Sequence, residues 1–380
     1  VDFELCLAAF STISNGTMAV VEALSELHTR LCTAGASKPL PMLDQLCAQL
    51  SDGWVGALPE LLQSTLRRAL EADDFTAISD ATPRTGCVVD VFTQLDRLSL
   101  VFAAYTQMLP IQLPPRCYHE FLELLEGQVS NLAVALSTGC HPLPPSALQR
   151  VRRGSSFARG PAGSKGGSGN GGGSSAVGTV GTAPVPRSRE LDGQTLQELC
   201  LRLNDCEWAG EQLLALAARL RADVPGLGKL PGRALLQCER SCRDLLDYIT
   251  SKVVFYDIEP HLLHQLYVPR PEDGRMPAVL QVLTPRLAAM RKVVAPRWAQ
   301  RLLEGVLSTL AIAIAAVIEL PDRRFEPRHR SMLDEDVDAL GSAYLRACSG
   351  ALEEPVVRAA LSFLYALGDQ ACTTTTVRGV

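Results

Sequence analysis

The stretch LQELCLRLNDCEWAGEQLLALAARL, Leu196–Leu220, places Leu196, Leu199, Leu203, Cys206, Gly210, Leu213, Ala217 and Leu220 at alternating steps of three and four. That spacing puts all eight positions on one side of a 3.6-residue helix. Sustained over three heptads, it describes a long helix lying on neighbours, as in a bundle. Gly210 interrupts the stripe and weakens a coiled-coil reading.

The same periodicity recurs outward from this helix. Leucines 58, 61, 62, 66 and 70 form an apolar stripe over Trp54–Glu71. A second helix is expected from Val88 to Leu109, ending before Pro110, and a third after Pro114-Pro115 through Tyr118, Phe121, Leu122, Leu125, Val129 and Leu132. Further helices are expected at 233–252, 258–267, 276–294, 297–319, 331–348 and 353–367. Lys252–Tyr256 (KVVFY) alone reads as strand-like, and it is too isolated to found a sheet. The fold class is therefore all-α, a bundle or an elongated rod of stacked helical bundles. Composition agrees: the 380 residues are 47% hydrophobic and only 5% aromatic, and leucine and alanine lead the helix scale.

One segment breaks the pattern. From Gly154 to Pro186 the chain is rich in glycine and serine, and Phe157 is its one large aromatic residue. Such a stretch cannot bury enough surface to offset its ordering entropy. The expected organisation is an N-terminal helical block over 1–150, a flexible basic linker or loop over 151–190, and a C-terminal helical block over 191–380.

Several function classes fall away on composition. A net charge of -5 argues against a general nucleic-acid binder. The twelve cysteines are scattered without a repeated Cys-x-x-Cys, which suits small buried thiols in a reducing cytosol. Cys238 and Cys242, one turn apart, amount to half a metal site at most. The apolar run Val306–Ile318 is shorter than the roughly 20 residues of a membrane span and reads as a core helix. Val1 opens no charged-then-apolar leader, which reads as a trimmed domain and leaves the sequon Asn15-Gly16-Thr17 without a secretory context.

The search for chemistry is equally spare. Gly167, Gly169 and Gly172 match GxGxxG inside the glycine segment, where no strand or helix frames them. His261 and His264, with Asp257 and Glu259 nearby, sketch a metal or acid–base cluster, but a surface histidine pair is the commoner origin of that pattern. Asp334, Glu335, Asp336 and Asp338 lack the glycine and distal glutamate of a calcium loop and read as a solvated helix face. No catalytic residue, cofactor site or metal site is assigned, and the chain is read as a non-enzyme.

Two basic features remain. Thr284–Arg301 holds five cations and no acid, and Arg286, Arg297 and Arg301 fall on one helical side as a binding face for an acidic partner or anionic lipid. Arg150, Arg152, Arg153, Arg159, Lys165, Arg187 and Arg189 make a basic arm, in which Ser155 is a candidate regulatory phosphosite.

A family resemblance enters through distributed motifs. Ser251–Pro269 carries Val254, Phe255, Tyr256 and Asp257 followed by Leu266 and Tyr267. Leu199–Leu213 carries Cys200, Arg202, Leu203 and Asn204. Pro296–Ala316, then Arg323–Leu340, follow in order. Together with Trp54–Phe75 and the helix after it, these resemble the MUN-domain proteins, especially their plant and algal branch, with its two Munc homology segments. The resemblance implies a rod similar to tethering-complex subunits. It also implies a role in vesicle tethering and priming, SNARE-dependent exocytosis, or delivery of proteins to the plasma membrane. The implied partners are SNARE or tethering-complex proteins, with peripheral contact to anionic membrane. The implied location is the cytoplasm, at vesicles, endosomes or plasma membrane. The alternatives are an α-helical scaffold unrelated to fusion, and a helical enzyme built on His261, His264 and Asp257.

Overall fold

A computed structural model describes residues 16, 19–20, 22–35, 41–79, 83–108, 115–140, 146, 148, 195–224, 227–229, 232–267, 275–320, 327–348 and 352–378. Its elements are α1 (Pro41–Ala72), α2 (Gly86–Met108), α3 (Pro115–Ser137), α4 (Leu196–Asp223) and α5 (Arg233–Lys252), then a π-helical turn, Val253–Ile258. After these come α6 (Glu259–Gln265), α7 (Arg275–Val293), α8 (Pro296–Ile318), α9 (Pro327–Ala347) and α10 (Glu354–Arg378). Residues 22–33 are helical too, and no extended strand occurs among the described residues. The protein is all-α, as the periodicity requires.

The segment expected to be strand-like is the point of correction. Val253, Val254, Phe255 and Ile258 are buried, but in π-helical turns that continue α5. Pro260 lies at the start of α6 and has no N–H to donate to the carbonyl of Tyr256 four residues back. The hydrogen-bond ladder gives way there by widening, and a wide turn also lets neighbouring apolar side chains point inward together.

The chain divides into two compact units. The first draws on residues 1–142, 197–249 and 289–302, the second on 143–196, 250–288 and 303–380. The basic segment 151–190, with Ser155, lies outside the described residues.

In the first unit α1 packs on both α2 and α3. Phe102 of α2 stacks on Phe121 of α3 with ring centroids 3.8 Å apart, and Tyr118 meets Phe102 edge-on. α4 is buried on more than the expected stripe: every residue from Leu199 to Cys206 is inside. A helix enclosed on all sides at one end is the central element of its unit, with neighbours around it. α5 is more one-sided, burying Ala234, Cys238, Ser241, Cys242, Leu245 and Ile249. Gly210 of α4 is where α5 comes close, since a Cβ there would stand 3.6 Å from the Cβ of Cys238.

In the second unit α9 packs on α10, and Gly341 of α9 receives Leu361 of α10 at close range. The Tyr344 hydroxyl donates to the Leu303 carbonyl at 2.9 Å. α8 is long and apolar enough to cross a membrane by composition, yet Leu303, Val306, Leu307, Leu310, Ile314 and Val317 are buried inside the protein, as in a core helix.

Candidate functional site

Among the described residues, the densest polar cluster surrounds the buried end of α4, where the segment between α1 and α2 crosses it. Asp205, fully buried, accepts the Thr85 amide on Oδ1 at 3.1 Å and the Thr85 hydroxyl on Oδ2 at 2.9 Å. Thr85 directly precedes α2, so Asp205 anchors that helix at its start. Asp73 holds the other side, accepting the Phe75 amide at 2.7 Å and the Cys87 amide at 2.6 Å. Carboxylates suit this place because the first N–H groups of a helix lack partners and carry partial positive charge. Burial still dominates at Asp205: desolvation lifts its carboxyl to about 7, Thr85 pulls it down, Asp73 pushes it up, and Arg84 pulls it down. Burial likewise drives the Cys87 thiol well above its usual range.

Asn204, one residue earlier, joins two separate connections. Its amide nitrogen donates to Pro83 O at 2.9 Å and Val293 O at 2.7 Å, while its oxygen accepts the Ala295 amide at 2.8 Å. Arg202 reaches Glu198 at 2.7 Å and the Leu136 and Thr138 carbonyls at 3.5 and 3.4 Å. Its guanidinium also lies 4.1 Å from the centre of the Phe75 ring. Phe75 takes φ +52°, a left-handed backbone that an aromatic residue rarely adopts. The hydrogen bond its amide donates to Asp73 and the Arg202 contact hold it there.

The second unit has smaller polar clasps. Asp257 of the π-turn accepts Arg286 Nε at 3.0 Å, and Arg286 also donates to Val282 O at 2.9 Å. Arg275 faces Asp336 at 3.5 Å and Glu335 at 3.7 Å. Burial raises the Asp336 carboxyl, against the pull of Arg275 and Tyr267. The solvated acidic face expected over 334–338 thus fails at Asp336, whose side chain is only 5% exposed. Asp334 pairs with Arg330, and Asp338 accepts the Tyr365 hydroxyl at 2.6 Å.

The expected basic face is partitioned. Arg286 belongs to the second unit and is held by Asp257. Arg297 and Arg301 belong to the first, where both guanidinium groups lie over the Trp298 ring, at 5.7 and 4.9 Å from its centroid. His261 is half-buried and His264 exposed, and Asp257 beside them is taken up by Arg286. Cys238 and Cys242 are buried with Cys206, and burial pushes the Cys238 thiol up to about 12. Among the described residues no three His, Cys, Asp or Glu side chains converge as metal ligands.

The contacts of Asn204, Asp205, Asp257 and Arg275 each join separate elements. Residues 47–364 match the family model described as PATROL1-like, TPR repeats. The chain belongs to the PATROL1-like TPR-repeat family. That match overturns the MUN-domain assignment expected from the motifs. The residues quoted for it explain how the reading arose: Arg202 and Asn204 are clasps inside the first unit, and Val254 and Phe255 are buried in the π-turn. No curated protein matches the chain. Within this PATROL1-like chain, Asp205 and Glu207 went unread in the sequence; the signal for them was charged and amide residues inside the run Leu199–Trp208.

Proposed function

We propose that the chain is a non-enzymatic membrane-trafficking module whose helical repeats bind helices of SNARE or tethering-complex proteins. The observation that carries the binding part is the match of a helical-repeat family across residues 47–364. Stacked helical repeats present extended surfaces, and partner helices lie along grooves between such helices. The polar residues of the α4 clasp support the same reading, because Arg202, Asn204 and Asp205 are spent on joining helices. The trafficking part is supported by the PATROL1-like match, a family that points to trafficking-related proteins. On this reading the protein works in the cytoplasm, peripherally at vesicles, endosomes or plasma membrane.

Affinity purification of the full chain from its own cells, followed by a vesicle-docking assay with the co-isolated proteins, tests the proposal. SNAREs or tethering subunits should co-isolate and docking should speed up. Co-isolation of unrelated proteins alone, with docking unchanged, would replace it by a general helical scaffold.

A further inference from the structure

We propose that the joint between α7 and α8 is a docking site for an acidic protein segment, with Arg297 and Arg301 as its anchors. The inference rests on the protein-binding half of the proposed function and names the chemistry of one partner surface. All the residues concerned lie in the first unit.

The first turn of α8 carries no acidic residue, although that is where acids are favoured and cations are not. Arg297 occupies that turn and Arg301 the next, and both are exposed. Neither is simply free in solvent. Both guanidinium groups lie against Trp298, whose ring is buried, so the arginines form a cover over it. An exposed guanidinium held against a ring keeps N–H edges that the ring does not use. Those edges are the fork that grips a carboxylate in pairs.

The neighbouring acid explains why the surface still presents positive charge. Glu207 of α4 lies 3.8 Å from Arg297, with side-chain exposures of 63% for the arginine and 9% for the glutamate. The counter-charge is thus below and the cation above. Burial first, and then the adjacent Glu211, push the Glu207 carboxyl up, while Arg297, Arg84 and Trp298 pull it down. Arg84 lies over Trp208 at 4.9 Å, a second arginine-on-tryptophan pair beside the same glutamate.

An acidic peptide fits this arrangement better than a bilayer does. An anionic membrane attracts the net charge of a broad face, and here Glu207 lies beneath Arg297 and the exposed Glu211 lies one turn along α4 from Glu207, in a chain of net charge -5. A peptide carboxylate needs only one preorganised fork at a time.

The test uses the full chain and two probes: a fluorescent amphipathic helical peptide with glutamate at successive turns, and phosphatidylserine vesicles. Wild type should bind the peptide, lose it as salt rises, and ignore a version with glutamine for glutamate. Arg297→Gln with Arg301→Gln should weaken peptide binding roughly tenfold. Arg67→Gln, an exposed arginine on α1, should leave it unchanged. Unaltered helicity and melting of the double variant would show that the loss is one of contact; if it melts early, Arg301→Lys serves instead, keeping charge while removing the fork, and should weaken binding by a smaller factor. Peptide binding indifferent to both variants overturns the proposal, as does vesicle binding that alone depends on the two arginines. Because the peptide is synthetic, this result stands apart from whether SNAREs or tethers co-isolate.

Discussion

Asp205 and Thr85 are 120 residues apart in sequence, and the Thr85 hydroxyl reaches the Asp205 carboxylate at 2.9 Å in the interior of the first unit. The contact fixes the start of α2 to the buried N-terminal half of α4. It also places an ionisable group where water does not reach, with measurable consequences.

Removing the acceptor should be costly. Asp205→Ala leaves the Thr85 amide and hydroxyl without it, and is expected to destabilise the protein by about 2 kcal/mol. Because the folded pKa is raised to about 7 from 3.8, the folded state holds a proton between those values that the unfolded state has released. This group's contribution to stability therefore declines as pH rises through that window. Denaturant titrations across the window should show that slope in wild type and a shallower one in Asp205→Asn.

Asn204→Ala should be at least as damaging. It strips the Pro83 and Val293 carbonyls and the Ala295 amide of one shared partner. A loss of about 2–4 kcal/mol is expected from unsatisfied groups at this burial. Hydrogen exchange should speed up at both the α7–α8 connection and the start of α2, two places far apart in sequence. A change confined to one of them would contradict the joint role.

Arg275→Met tests the buried acid of the second unit. Without the arginine, Asp336 keeps its burial and loses a cation that favours its charged form. Stability should drop by about 2 kcal/mol near neutral pH. The carboxyl is already raised and rises further in the variant, so the deficit should shrink as pH falls and Asp336 takes up its proton. A deficit independent of pH would show that packing, not charge, is what Arg275 supplies.

Gly210 separates size from backbone freedom. Alanine there would meet Cys238 at an ordinary contact distance of 3.6 Å, and it gains roughly 1 kcal/mol of helix propensity over glycine. Gly210→Ala should therefore melt at or above the wild-type temperature. Gly210→Leu has no room against α5 and should destabilise by about 1–3 kcal/mol. Thermal melts of the two variants in opposite directions would confirm a steric role for the glycine.

Much of the architecture was legible because helix formation is a local matter. The 3.6-residue recurrence of leucine placed α4, α5, α7 and α8 within a residue or so at their starts, and proline marked several of their limits. Lys252–Tyr256 was misread because β-branched and aromatic composition does not tell a buried strand from a buried helix. Only the fold shows that α5 continues through it and that Pro260 makes the next turn give way.

What the sequence determined by itself is the helical class, the main helix positions and the polar character of the α4 motif, all properties of neighbours along the chain. What the tertiary structure decided is which charges have partners. Nothing in the spacing says that Asp257 occupies Arg286 and that Glu207 lies beneath Arg297, or that Asp336 is buried while Asp338 is exposed. Those outcomes depend on which helices meet. A carboxylate's chemistry is set by the water it loses and the distant residue that replaces it, and neither is encoded within a single helical turn.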